Sequence, residues 1–139
     1  MKMLIFACVL AASASIFVAE AHGQAIVIAN PGVKASEVSK NDLKDVFTGA
    51  STSLGGASVT PVLLKAGAAH DEFLSAYIGK NDTAFRAGWR SLVFSGQATM
   101  PKSLDGDAAV VEFVSHNAGA IGYIGKASPH DGVKVLAVH

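Results

Sequence analysis

The sequence predicts an α/β domain in which a mixed sheet is covered by helices. Two observations carry this. Short apolar, β-branched runs alternate with longer segments whose apolar residues recur at helical spacing, and turn residues stand between the two kinds of segment. The 139 residues allow one domain at most. With no internal repeat, low-complexity tract or linker after residue 21, a single compact lobe accounts for the chain.

Gln24 to Ala29, "QAIVIA", is a continuous apolar run closed by Asn30-Pro31-Gly32 and reads as a buried strand. Ser39 is placed to cap a helix, with Asp42 three residues on and Leu43, Val46 and Phe47 along one face. Gly49 ends it. Residues 50–58, "ASTSLGGAS", read as a polar, flexible loop, and "SVTPVLLK" as the second strand.

"AHDEFLSAYIG" follows as a helix with Phe73, Leu74, Tyr77 and Ile78 as its stripe and Gly79 as its stop. Asn81 or Asp82 caps the next, where Phe85, Trp89, Leu92 and Val93 lie at i, i+4, i+7 and i+8. Trp89 is therefore expected in the core rather than against a ligand. Arg86 and Arg90, one turn apart, are expected on a solvated face rather than in an anion clamp. A loop from Gly96 to Ser103 leads to a helix around residues 108–115, and "AIGYIG" and "VKVLAV" read as two further strands.

The first twenty-one residues stand apart. Lys2, an apolar run from Met3 to Val18 and the small-x-small triplet Ala19-Glu20-Ala21 form a secretory signal peptide cleaved after Ala21. The run is shorter than the roughly 20 residues a membrane span needs, and Cys8 stands too near the start for a lipoprotein signal. Export leaves His22 to His139 as a periplasmic protein, or a secreted one. Losing Lys2 and Glu20 makes ten basic and ten acidic residues, so no basic face is implied and nucleic acid is not the expected partner. Without cysteine the exported chain has no disulfide and no thiolate chemistry. The five histidines lack metal-binding spacing, and neither a nucleophile elbow nor a P-loop occurs. No catalysis, metal or cofactor is expected.

Several segments carry a family likeness. "AIVIANPGVKASEVSKNDLKDVFTGAST", "FRAGWRSLVFSGQATMPKS" and "VVEFVSHNAGAIGYIG" together resemble, in order, the second lobe of type II periplasmic solute-binding proteins. The phosphate-binding proteins of phosphate ABC transporters are the nearest relatives by this resemblance. It implies a single lobe of the type II periplasmic binding-protein fold over residues 22–139, where the family has two lobes around a cleft. It also implies a small oxyanion, phosphate first, as ligand, and a permease or another envelope protein as partner.

The family places an Arg and an Asp after its second strand, then Ser-Gly-Thr at a helix start. This chain has Lys65 and then Ala66-Gly67-Ala68-Ala69-His70. The hydroxyls are gone. By resemblance the ligand would meet Lys65, the backbone of Ala68, Ala69 and His70, the loop holding Thr99, Lys102 and Ser103, and Asn30 at the end of the first strand. Read without the resemblance, Lys102 is a solvated loop lysine, Ser103 a helix cap and Asn30 a turn residue. Asp71 and Glu72 complement the helix dipole by roughly 0.3–1 kcal/mol each and oppose an anion. A tight site buries about 70–90% of its ligand, which one lobe cannot do. Two functions follow: solute binding, with the second wall supplied by a dimer or partner, or a protein-docking module that has lost tight phosphate binding.

Overall fold

The structure, a computed structural model, describes residues 24–139, so the expected signal peptide lies outside the described residues. The apolar run closed by Pro-Gly forms β1 (Ala25–Ala29), and a short β2 (Glu37–Val38) precedes α1 (Lys40–Thr48). Ser39 caps α1 by accepting the Asp42 N–H at 3.1 Å. Leu43, Val46 and Phe47 form its buried face, and Gly49 closes it at φ 85°.

Residues 50–58 do more than loop. Ser53–Leu54 (β3) and Ala57–Ser58 (β4) pair as a small hairpin. Gly55 and Gly56 both take positive φ, 56° and 83°, the demand of a tight two-residue hairpin turn. Leu54, 3% exposed, anchors the hairpin to the core.

β5 (Thr60–Leu64) leads into α2 (Ala68–Phe73), which widens into a π-helical turn over Leu74–Ile78. That turn ends where the Gly79 N–H returns to the Leu74 carbonyl at 2.7 Å. Asn81 caps α3 (Asp82–Phe94) through the Ala84 N–H. Of the expected apolar stripe, Phe85 and Trp89 are buried and Leu92 packs against the core. Val93 instead is 41% exposed beside the open Phe94, because no element among the described residues covers that flank of the helix end. The segment expected as a loop to Ser103 contains β6 (Lys102–Leu104), held at the sheet edge by parallel pairing with β5. α4 (Asp107–His116), β7 (Ala120–Gly125) and β8 (Lys134–Val138) complete the chain.

The main sheet has the order β2-β8-β1-β7-β5-β6. β1 runs antiparallel to both its neighbours, whereas β5 is parallel to β6 and β7, and β2 to β8. The sheet is therefore mixed. Alternation along β7 sends successive residues to opposite faces. On one face Tyr123 lies parallel to Phe73, ring centroids 3.9 Å apart, and Phe47 meets Phe73 edge-on at 4.8 Å. On the other, Gly122 lets α4 come close: a Cβ there would stand 2.8 Å from Val110 Cγ1. Helices thus cover both faces, as an α/β layer architecture requires.

Candidate functional site

Because β5, β6 and β7 run in one direction, the turn Lys65-Ala66-Gly67 lies at their carboxyl ends, the edge at which α/β sheets usually present ligand sites. The Lys65 N–H still bonds to the Leu104 carbonyl at 2.9 Å, extending β5 against β6. Gly67 then takes φ 113°, a backbone conformation that side chains resist. The first bond of α2 runs from the Asp71 N–H to the Gly67 carbonyl at 3.0 Å. The amides of Ala68, Ala69 and His70 precede it and have no acceptor within the helix. Gly67, the residue before the helix, has no side chain to cap them. α4 also starts at this edge, where Asp107 accepts the Gly125 N–H at 3.0 Å and the Ser128 hydroxyl at 2.5 Å.

Behind the turn lies a chain of polar side chains. The Tyr123 hydroxyl accepts the Leu64 N–H at 3.1 Å and meets His70 Nδ1. His70 Nε2 stands 2.7 Å from Asp82 Oδ1, which also takes the Arg86 Nε–H at 2.8 Å. Arg86 then reaches the Leu64 and Lys65 carbonyls at 3.0 and 3.1 Å and Ser103 Oγ at 3.3 Å. An ionised carboxylate only accepts, so His70 donates from Nε2, and its Nδ1 shares a hydrogen bond with the Tyr123 hydroxyl. Partial desolvation pushes the Asp82 carboxyl up, but hydrogen bonds from His70 and Arg86, with their charges, outweigh it and hold the group below its usual range. Burial pushes the Tyr123 phenol well above its ordinary value, against the opposing bond from Leu64.

The structure brings together only some of the residues expected in the site. Lys65, Ala68, Ala69 and His70 share the turn and helix start, and Ser103 joins them through Arg86. The Lys65 ammonium pairs with Asp105 at 3.0 Å. His70 is 1% exposed, and both its ring nitrogens are engaged inside the protein. Lys102, on the opposite face of β6 from Ser103, lies 5.4 Å from the Phe113 ring. Thr99 lines a groove of about 430 Å³ with Thr60 and Pro61, at the amino end of β5. Asn30 also sits at that far end: its N–H bonds to Ala120, and its side chain bridges the Val114 carbonyl and the Gly32 N–H, both at 2.9 Å. Neither Thr99 nor Asn30 is near the turn.

Arg86 departs from the solvated face expected for it; its side chain is only 20% exposed. Its i,i+4 spacing from Asp82 was the available signal. A groove of about 500 Å³ runs along the back of α2, bounded by Asp71, Ser75, Lys80 and Asp82, and so lies beside the helix rather than at its amino end. A depression of about 410 Å³ touching Ala68 is flanked by Asp71 and Glu72. Among the described residues, no group of three or more His, Cys, Asp or Glu is placed to hold a metal ion.

The fold is that of one lobe of a periplasmic binding protein. Three solved structures share it, each over 84% of this chain. A candidate phosphate ABC transporter substrate-binding protein from Clostridium perfringens, with bound phosphate, gives a TM-score of 0.64 at 20% identity. An ABC-type phosphate transport receptor from Vibrio cholerae gives 0.65 at 18%, and PstS from Borrelia burgdorferi 0.64 at 19%. The alignment takes in 45%, 46% and 47% of those chains respectively, so this chain spans less than half the length of each. No family model matches it, and no curated protein matches it in sequence. No helix among the described residues is long and apolar enough to cross a membrane.

Proposed function

We propose that this is an exported binding lobe that takes a small oxyanion, phosphate first, at the carboxyl edge of its sheet, in phosphate transport or sensing. The observation that carries this reading is the Lys65-to-His70 turn, where a lysine and three helix-start amides without intrahelical acceptors lie together on a fold shared with phosphate receptors. Lys65 supplies charge and the amides of Ala68, Ala69 and His70 supply donors. The second wall comes from another copy or from a permease or envelope partner, since one lobe leaves the ligand open to water.

Thermal unfolding of the purified protein in low salt, with millimolar phosphate and with sulfate as control, tests it. A ligand at a hundredfold its dissociation constant adds about 2.7 kcal/mol to native stability. A phosphate-specific shift that Lys65→Ala abolishes supports the reading. A shift unchanged in Lys65→Ala removes Lys65 from the site, and no shift at millimolar phosphate sinks tight binding by the isolated lobe.

A second reading is a docking module whose former cleft wall meets another envelope protein. It is favoured by the prior engagement of two expected ligand groups, Lys65 with Asp105 and His70 with Tyr123 and Asp82. Light scattering separates the two: a monomer without ligand response favours docking on a separate partner, and a dimer restores a composite cleft.

A further inference from the structure

We propose that Arg86 is the positioning residue of the Lys65–Gly67 turn, holding both ends of that turn through one guanidinium group. At the strand end, its Nη2 donates to the carbonyls of Leu64 and Lys65 at 3.0 and 3.1 Å. At the helix start, its Nε and His70 Nε2 share a single oxygen, Asp82 Oδ1, at 2.8 and 2.7 Å. His70 belongs to the first turn of α2. The four residues between Lys65 and His70 are therefore tethered to Arg86 directly on one side and through Asp82 on the other.

The clamp sets the direction of backbone donors as well as their place. In a planar trans peptide the N–H points opposite to the preceding carbonyl. With the Lys65 carbonyl held on Arg86, the Ala66 N–H points away from Arg86, adding a donor to the three at the helix start. The Ser103 hydroxyl, 3.3 Å from Nη1, ties the group to the edge strand. Two carbonyls, a hydroxyl and a carboxylate lie around one fork, a geometry a guanidinium spans and a lysine ammonium, acting as a point charge, does not. Arg86 acts through the turn, and its own donors face protein atoms.

For its ligand readout the proposal rests on the oxyanion reading, so the experiment has two arms. Amide hydrogen exchange compares the bonded amides flanking the turn, those of Lys65 and Asp71, with ladder amides of Ile28 and Ile124. Phosphate titration by calorimetry reads affinity. In Arg86→Lys and Asp82→Asn, exchange at Lys65 and Asp71 is expected to rise by about tenfold, the scale of one charge-assisted hydrogen bond, with the ladder amides unchanged. Phosphate affinity in Arg86→Lys falls by a similar factor.

A uniform rise across turn and ladder overturns the proposal, because Arg86 would then contribute to global stability alone. Unchanged exchange at both flanking amides overturns it as well. If wild type shows no phosphate response, the oxyanion reading falls and the exchange arm still decides the role of Arg86. Should Arg86→Ala not fold, Arg86→Lys and Asp82→Asn carry the test.

Discussion

The Tyr123 hydroxyl accepts the Leu64 N–H at 3.1 Å. A side chain of β7 thus stands where a neighbouring strand's carbonyl would close the ladder. The β5–β7 backbone pairing covers Thr60–Ala120 and Pro61–Ile121, and three residues on the phenol takes over. Removing that oxygen leaves the buried Leu64 N–H and one ring nitrogen of His70 without partners. Tyr123→Phe is expected to cost about 1–3 kcal/mol, read as a lower urea midpoint with unchanged slope.

Asp82 makes stability depend on acid. Its folded pKa lies below the ordinary 3.8, so its contribution is fully present above that value and is lost as pH falls through the folded value. The stability gap between wild type and Asp82→Asn is expected to be constant near neutrality and to narrow below about pH 4. Denaturation curves of both proteins between neutrality and acid check this; a gap that widens on acidification contradicts it.

Gly49→Ala is expected to destabilise the protein by about 1–3 kcal/mol. The position has φ 85°, and a Cβ there would lie 2.5 Å from Leu92 Cδ1 and 3.1 Å from the Trp89 ring. Leu92 has a flexible end that yields. Trp89 does not, because its indole N–H is held on the Phe47 carbonyl at 2.9 Å. Chemical denaturation measures the loss.

Phe94 offers the contrast. It is 96% exposed, so Phe94→Ser should leave unfolding stability within about 0.5 kcal/mol of wild type. A larger loss in dilute protein would mean that the ring is covered in solution.

The architecture was largely legible because its signals are local. The Ser39 cap, the Leu43-Val46-Phe47 stripe and the Phe85-Trp89 spacing each sit within one helix, and all formed as the pattern required. The Ser53–Ser58 hairpin was missed because its Gly-Gly turn lies between strands of two residues, too short to alternate visibly. β6 was missed for the same reason: three residues become a strand only through pairing with β5.

The site was less legible. The turn and its helix start could be read from Lys65-Ala66-Gly67, but the fate of His70 could not. Its Tyr123 partner is supplied by the fold, 53 positions away, and nothing near His70 in sequence announces burial. Resemblance grouped Asn30 and Thr99 with Lys65. The direction of the strands separates them, since Asn30 follows the one strand that opposes its neighbours.

That lone reversed strand also sets an order of assembly. β1 holds the first described ladder residues, yet Ala25 pairs with Gly125 and Val27 with Leu136. Both flanks of the strand are filled only by β7 and β8, segments far along the chain. Such distant pairings are slow to form, and a chain emerging from the ribosome holds β1 unmatched until β7 and β8 have been made. Folding of the sheet must then wait for β7 and β8, and a molecule lacking Lys134–Val138 would have one side of β1 open for another chain to occupy.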